Sequence, residues 1–289
     1  ISIQYLRFPR FSMVNILTDS TADLGQELTR DYQIRTIPLY VNLAEKTWRD
    51  GIDVDTEALF AFVETSGQLP KTSAPTVADF LDAFTQAGEC VYIGISSQLS
   101  ATHENARLAF AQLSDCPIQI IDSRNLSTGI GLLVLKAAEM RDQGYSAAEI
   151  AVHIRAMVSR VRTSFVIETL DYLYKGGRCS ALENVVGSLL KIRPIIQVRG
   201  DGTMGVKAKT RGTRRKALDA MLDDFASHTG QIDPGHVFIT HTGCDDDAQY
   251  LRDELLKRAD IEQVHITHAG SVIASHCGPN TIGILYLLK

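Results

Sequence analysis

Short apolar runs alternate with helical patterns along the first half of the chain. Val14–Thr18, Val91–Ile95 and Ile118–Asp122 have the length of buried strands, and Arg35–Val41, interrupted by Pro38, has the character of an edge strand. Apolar residues recur at helical spacing in the segments Ala78–Thr85, Ala101–Leu113 and Gly129–Arg141. This alternation predicts a parallel sheet flanked by helices.

The pattern changes in the second half of the chain. The runs Ile195–Val198 and Met204–Ala208 flank Gly200-Asp-Gly-Thr203, which is a hairpin signal. Helical spacing over Thr213–Phe225 and Asp245–Arg258 predicts two helices. The remaining predicted strands are Ser164–Ile167, Val237–His241, Gln263–Thr267 and Ile282–Leu287. A hairpin within such a series predicts a mixed sheet.

These two patterns predict an α/β protein with two α/β domains. The first, over residues 13–162, has a mainly parallel sheet flanked by helices, and the second, over residues 163–289, has a mixed sheet and helices. Residues 1–12 have no initiator Met and no long apolar run, and they directly precede Met13. We expect them to be a non-native or disordered extension.

Capping signals mark two helix starts near the middle of the chain. Ser146-Ala-Ala-Glu149 and Ser180-Ala-Leu-Glu183 are capping boxes, and Pro194 ends the second predicted helix. Lys175-Gly-Gly-Arg178 comes just before that helix. Its glycines allow close approach of a ligand to the backbone, and Arg178 could hold an acid or pair with a surface carboxylate.

Composition narrows the class of protein. The chain has 289 residues, of which 45% are hydrophobic and 22% charged, as in an ordinary globular protein, and its net charge of -5 argues against a nucleic-acid partner. The five cysteines form no C-x-x-C pair, which suits reduced thiols in the cytoplasm. Because no apolar run approaches the ~18 residues of a membrane span, we expect no stable membrane insertion.

Hydroxyl and carboxyl side chains cluster where predicted strands or loops lead into helices. The clusters are Asp19-Ser-Thr21, Thr72-Ser-Ala-Pro-Thr76, Ser96-Ser-Gln-Leu-Ser-Ala-Thr102 and Asp122-Ser123. Each fits helix capping, because Ser, Thr and Asp are preferred at that position. Helix starts also bind anions, and those on one parallel sheet share its carboxyl edge. The set therefore predicts capping, a carboxylate or phosphate site, or both.

Other site chemistries have weaker support. His241 and His265 lie in predicted strands, but acids at 245–247 fit a helix start better than a metal site, and we predict no metal. His276 lies in a predicted loop before the last strand and could reach a ligand acid. Cys277 beside it is a weak nucleophile candidate, and no G-x-S-x-G elbow is present, so we predict no catalytic residue.

Six segments in order resemble the DegV family of fatty-acid-binding proteins. They cover the chain from about Met13 to its end. Each segment alone is a match of only modest specificity. The segments are Leu17-Thr-Asp-Ser-Thr-Ala-Asp23, Lys71-Thr-Ser-Ala-Pro-Thr76, Ser96-Ser-Gln-Leu-Ser-Ala-Thr102, Tyr174-Lys-Gly-Gly-Arg178, Leu189-Leu-Lys-Ile-Arg-Pro194 and Ser275-His-Cys-Gly-Pro-Asn-Thr-Ile-Gly283.

The resemblance implies a ligand cleft between the two domains, holding one long-chain fatty acid such as palmitate without a covalent bond. It assigns the carboxylate to Thr72, Ser100 and His276. Related proteins present the fatty acid to a separate fatty acid kinase, which makes an acyl phosphate for phospholipid synthesis. The resemblance implies no other cofactor. A small-molecule phosphotransferase or acyl hydrolase using the same site is the alternative.

Three further residues are expected near the ligand or the partner: Arg178, Ser73 and Ser97. Since the arginine of this motif is linked to the kinase step, Arg178→Ala is expected to spare binding and to impair presentation. The chain departs from the common family pattern at Ala74 and Ala101. Alanine is easily accommodated in a first helical turn, so we expect the site to be retained.

Overall fold

The computed structural model of the chain describes residues 13–113, 116–178 and 192–289. The strands are β1 (Asn15–Asp19), β2 (Ile34–Ile37), β3 (Tyr40–Leu43), β4 (Lys46–Arg49), β5 (Lys71–Ser73), β6 (Cys90–Gly94), β7 (Ile118–Asp122), β8 (Val161–Val166), β9 (Ile192–Val198), β10 (Met204–Arg211), β11 (Ile232–His241), β12 (Gln263–His268) and β13 (Ile282–Leu288). The helices are α1 (Gly25–Asp31), α2 (Thr56–Ser66), α3 (Val77–Ala87), α4 (Thr102–Phe110), α5 (Thr128–Asp142), α6 (Ala147–Met157), α7 (Asp171–Lys175), α8 (Arg214–Ala226), α9 (Asp245–Arg258) and α10 (Ser271–Cys277).

A four-stranded parallel sheet forms the first half of the fold. Its strand order is β2-β1-β6-β7, and Ile16 pairs with Ile34 on one side and Val91 on the other. Every residue of β6 is buried, as expected of a strand with helices on both faces. The parallel sheet predicted for this half is confirmed.

A six-stranded mixed sheet forms the second half of the fold. Its order is β10-β9-β8-β13-β11-β12, with β11 and β12 parallel and the other neighbours antiparallel. The predicted hairpin at Gly200–Thr203 joins β9 and β10. Pro194 lies within β9, opposite Lys209, while the helix predicted from Ser180 lies outside the described residues. The domain boundary at 162/163 stays a prediction.

A small antiparallel sheet, β4-β3-β5, was not predicted. The apolar run Arg35–Val41, which was expected to be one edge strand, splits at Pro38: β2 joins the parallel sheet and β3 the small one. Proline has no N–H to continue a ladder, so the chain changes sheets there. The small sheet pairs Val41 with Thr72 and so fixes the position of Thr72.

Helix α5 packs between the two large sheets. It contacts strands of both, and its residues Ile130, Leu133, Val134 and Ala137 are fully buried. A helix that is apolar on nearly all sides belongs in the interior. Its neighbour α6 begins at the predicted capping box, where Ser146 and Glu149 hydrogen-bond to each other's backbone N–H. None of the described helices is long and apolar enough to cross a membrane.

Helix α10 corrects the expected position of His276. The sequence interpretation placed this histidine in a loop, but it lies in the last turn of α10, which spans Ser271–Cys277. The helix is only seven residues long, which is too short for a periodic apolar pattern to be recognised. It packs on α2, α7 and the small sheet, so residues late in the chain meet residues near its start.

Candidate functional site

A narrow cavity of about 40 Å³ lies where the two halves of the fold meet α10. Its wall contains four polar side chains from different elements, namely Thr72 on β5, Ser100 before α4, Arg178 after α7 and His276 on α10. The rest of the wall is apolar, apart from the thiol of Cys277. A concave apolar site with a few converging polar groups is the usual form of a small-molecule site.

Thr72 and His276 are held together across the cavity. The hydroxyl of Thr72 and Nε2 of His276 form a hydrogen bond of 2.7 Å, although the two residues are 204 positions apart in the chain. Burial, with the charge of Arg178 as a smaller cause, lowers the pKa of His276 to about 4. The imidazole is therefore neutral at pH 7, and its buried Nδ1 has no hydrogen-bond partner among the described residues.

Ser100 lines the cavity and lies two residues before the first residue of α4, whose N-cap is Ala101. Its hydroxyl accepts a hydrogen bond of 3.3 Å from the backbone N–H of Thr102 and lies 2.8 Å from the Thr102 hydroxyl. The sequence interpretation of this cluster as a side-chain helix cap is not borne out at α4, because Ala101 is the N-cap and no side chain caps the helix. Ser100 therefore places a hydroxyl group at the polar end of the cavity.

Arg178 brings a positive charge to the cavity wall. Its guanidinium donates hydrogen bonds to two neutral carbonyls, of Gly176 at 2.7 Å and of Leu99 at 3.3 Å. Within the part of the chain that the structure describes, it forms no ion pair with a carboxylate. A ligand acid that enters the cavity would meet this positive charge.

Gly176 leaves room for His276. A Cβ atom at Gly176 would lie 2.5 Å from Nδ1 of His276 and 2.8 Å from the carbonyl of Tyr172. The motif Lys175–Arg178 therefore needs glycine at this position for packing reasons. Sequence reasoning had attributed the glycines to ligand approach, and the packing role was missed.

Ser73 and Ser97 do not contribute to the cavity wall. Both are exposed: the Ser73 hydroxyl accepts a hydrogen bond from Asn42, and the backbone N–H of Ser97 donates to Asp122. Of the six residues singled out from the sequence, the structure brings Thr72, Ser100, Arg178 and His276 together and leaves these two serines beside them.

A second apolar cavity of about 30 Å³ lies next to the first. Leu126, Ile273 and Cys277 line both cavities and form the partition between them. The far end of the second cavity reaches Phe165 on β8 and Leu285 on β13. These residues were not identified from the sequence, because apolar residues of a tunnel look the same as core residues in a pattern.

A trio of possible metal ligands includes a histidine that is already engaged in a hydrogen bond. His241, Asp245 and His268 offer ligand atoms within 4.8 Å of one another. However, Nδ1 of His241 accepts a hydrogen bond from the backbone N–H of Cys244, so the proton of the neutral ring is on Nε2. A metal at Nε2 would therefore require the ring proton to move to Nδ1 and the hydrogen bond from Cys244 to break.

Cys277 is a poor nucleophile in this environment. Burial raises the pKa of its thiol to about 12, so that the thiol stays protonated at neutral pH. The four cysteines within the described ranges, Cys90, Cys116, Cys244 and Cys277, are free.

Comparisons with known proteins agree with this fold. A DegV domain-containing protein of Caldanaerobacter subterraneus is 30% identical over 278 residues, which cover 94% of this chain and 98% of the relative. A fatty-acid-binding DegV family protein of Thermus thermophilus has a structure with a TM-score of 0.89 at 28% identity, covering 96% of this chain and 100% of that one. The Fak B3 protein of Streptococcus pneumoniae fatty acid kinase, loaded with linoleic acid, shares the fold at 23% identity and a TM-score of 0.85, covering 96% and 100%.

The fold and the cavity define a class of protein with two α/β halves and a narrow pocket that is polar at one end. A sequence model of the DegV family, described as uncharacterised proteins, matches residues 13–289. The chain belongs to the DegV family.

Proposed function

We propose that this protein binds one long-chain fatty acid between the two halves of its fold, without a covalent bond. The observation that carries the proposal is the convergence of Thr72, Ser100, Arg178 and His276 at one end of an apolar cavity. The description of the Thermus thermophilus relative as fatty-acid binding supports the same ligand class.

The polar end suits a carboxylate better than a neutral group. A buried carboxylate needs several donors and a compensating charge, because an unpaired buried ion is very unfavourable. The Ser100 hydroxyl can donate, and the Thr72–His276 pair has one further donor to offer, since one proton of the pair forms their mutual hydrogen bond. Arg178 supplies the charge. A protonated Cys277 thiol supports binding rather than acyl transfer.

The apolar tail would occupy the two neighbouring cavities. Their volumes of about 40 and 30 Å³ are too small for an acyl chain, so the partition of Leu126, Ile273 and Cys277 must move when the tail enters. Each methylene that leaves water contributes about 0.8 kcal/mol, which offsets the rearrangement for a long chain and not for a short one. We therefore expect palmitate to bind far more tightly than octanoate.

A titration with palmitate tests the proposed carboxylate site. Ser100→Ala removes one hydrogen bond to a charged group, so the dissociation constant should rise by about tenfold or more. Ser227→Ala, an exposed serine at the end of α8, serves as the matched control and should bind as the wild type does. Equal affinity of the wild type and Ser100→Ala would remove Ser100 from the site.

Arg178 is now expected to take part in binding. The sequence interpretation expected Arg178→Ala to spare the fatty acid, but the guanidinium lines the cavity and forms no ion pair within the described ranges. We expect Arg178→Ala to weaken palmitate binding at pH 7 by more than tenfold, because the buried carboxylate loses its counter-charge. Unchanged affinity would return Arg178 to a purely partner-related role.

Presentation of the carboxylate to a fatty acid kinase is the second part of the proposal. It is supported by the name of the Streptococcus pneumoniae Fak B3 protein, which shares the fold. The test combines the loaded protein, a fatty acid kinase and ATP, and measures acyl phosphate by trapping with hydroxylamine. Formation should require this protein, and equal formation from free fatty acid alone would contradict the proposal.

A further inference from the structure

A larger cavity of about 360 Å³ lies where the loop after β7 meets the start of β8 and the end of β9. It shares no lining residue with the two proposed fatty-acid cavities. Three arginines, Arg124, Arg162 and Arg199, belong to its wall, which contains no Asp or Glu as far as the structure describes the chain. Nothing in the proposed fatty-acid function uses these side chains.

Contacts with the backbone hold two of the three guanidinium groups in place. Nη1 of the half-buried Arg162 donates hydrogen bonds to the carbonyls of Ser159 at 2.9 Å and Val161 at 3.2 Å. The guanidinium of Arg199 lies over Gly205 on β10, where an added Cβ would come within 2.5 Å of its Nε. The remaining N–H groups of both arginines have no acceptor in residues 13–113, 116–178 and 192–289.

The acids that are nearest along the chain do not neutralise these charges. Oδ1 of Asp122 accepts from the backbone N–H of Arg124 at 2.8 Å, and Oδ1 of Asp201 accepts from the N–H and the hydroxyl of Thr203. Within the described ranges, none of the three arginines forms an ion pair with a carboxylate. Three like charges therefore share one concave surface, in a chain whose net charge is -5. Such a surface attracts anions.

Asn125 adds a buried neutral donor to the same wall. The residue is 4% exposed, and its Oδ1 accepts from the backbone N–H of Leu126 at 3.1 Å and the hydroxyl of Thr163 at 2.8 Å. Because a backbone N–H can only donate, the oxygen of the amide must face Leu126 and Nδ2 must point away from it. Nδ2 donates to no atom of the described residues. It is therefore available to an acceptor that enters the cavity.

We propose that this cavity binds a small, soluble anion with two or more phosphate groups, with the three arginines as counter-charges and Asn125 as a neutral donor. Guanidinium groups match phosphate oxygens in geometry and charge. A diphosphate carries enough negative charge to compensate several guanidinium groups, which a single carboxylate does not. The volume of 360 Å³ leaves space for it. The site does not depend on the fatty-acid proposal.

Calorimetric titration of the full-length protein with sodium pyrophosphate, at constant ionic strength, tests the site. We expect saturable binding of one pyrophosphate per chain. Sodium citrate, which offers carboxylate groups in place of phosphate groups, should bind clearly more weakly. Since a lipid headgroup could supply the same phosphate chemistry, sedimentation with phosphatidylcholine vesicles that contain phosphatidic acid is run in parallel. The protein should stay in the supernatant.

Two variants assign the heat to the cavity. Arg162→Gln removes one charge and keeps most of the side-chain stem, so the dissociation constant for pyrophosphate should rise by about tenfold or more. Arg252→Gln, at an exposed position on α9, makes the same change of net charge and should bind as the wild type does. If Arg162→Gln does not fold by circular dichroism, Arg199→Gln replaces it with the same expectation.

Four results would overturn the proposal. The first is the absence of saturable heat with pyrophosphate in the wild type. The second is an unchanged affinity in the folded Arg162→Gln or Arg199→Gln protein, or an equal loss in Arg252→Gln. The third is citrate binding as tight as that of pyrophosphate, which would assign the cavity to polycarboxylates. The fourth is sedimentation with the phosphatidic acid vesicles that Arg162→Gln abolishes, which would assign it to a lipid surface.

Discussion

His276 shows how its surroundings set the role of one side chain. Burial and the neighbouring Arg178 lower its pKa to about 4, so it cannot offer a positive charge at pH 7. The charge at the polar end of the cavity comes from Arg178, and His276 contributes a hydrogen bond and a fixed position for Thr72. In this site His276 is therefore a hydrogen-bonding group and not a counter-ion.

Gly176→Ala tests whether the position of His276 matters for binding. The new Cβ would lie 2.5 Å from Nδ1 of His276, so the ring has to shift and its bond to Thr72 is lost. We expect palmitate affinity to fall at least tenfold in a calorimetric titration. Gly230→Ala, where no atom lies within 4 Å of the added Cβ, is the control. Full affinity in Gly176→Ala would show that the ring position is not important.

At the level of elements, α10 connects two regions of the molecule. Asp23 and Asp50 accept hydrogen bonds from its first backbone N–H groups, and His276 in its last turn bonds to Thr72. A seven-residue helix has little stability of its own, so these contacts determine where it lies. A change at its start should therefore affect the proposed fatty-acid cavity at its end.

Asp23→Ala and Asp23→Asn separate the two roles of that residue. Asp23 has φ 50°, a left-handed conformation that Asn tolerates and Ala does not, and its carboxyl accepts from Gly270 N–H and the Ser127 hydroxyl. Urea unfolding should show Asp23→Ala destabilised by about 2–4 kcal/mol, from strain and lost hydrogen bonds. Asp23→Asn should lose clearly less free energy of unfolding. An equal loss in the two variants would contradict the two roles given to Asp23.

The sequence predicted some elements and site residues and missed others for definable reasons. The strands of the large sheets and helix α6 have clear periodicity or capping signals, and the motifs contained Thr72, Ser100 and Arg178. The small sheet and α10 are too short to show a period. The partition residue Ile273 and the packing role of Gly176 depend on contacts between distant segments, which a pattern along the chain does not contain.

At the scale of the whole molecule, two sheets enclose α5, and α10 crosses back onto the first half of the fold. Residues from both halves therefore line the proposed fatty-acid cavity, and ligand binding would use the same contacts as folding stability. Ligand that binds the folded state stabilises it by mass action, so a tight fatty acid should raise the unfolding temperature.

The acid sensitivity of the fold should depend in part on His276. Its pKa is lowered to about 4 in the folded state, so the unfolded state binds the proton more tightly. The free energy of unfolding is therefore unaffected by this group above pH 6.5. It decreases as the pH falls from 6.5 toward 4, because the unfolded state takes up the proton first.

The difference from 6.5 to about 4 corresponds to at most about 3 kcal/mol. Burial raises the pKa of Asp50 to about 6, which acts in the opposite direction, but this contribution is common to wild type and variant. Urea unfolding between pH 7 and 4.5 should therefore show a smaller loss of stability in His276→Gln than in the wild type. The same pH dependence of stability in the wild type and in His276→Gln would contradict the lowered pKa of His276.

Native mass spectrometry of the purified protein tests the central claim most directly. The protein should carry, or take up from added palmitate, the mass of one long-chain fatty acid, and an organic extract should release that acid unchanged. Ser100→Ala and Arg178→Ala should retain less of it under the same conditions. A wild-type protein that stays at its bare mass after exposure to excess fatty acid would contradict the account.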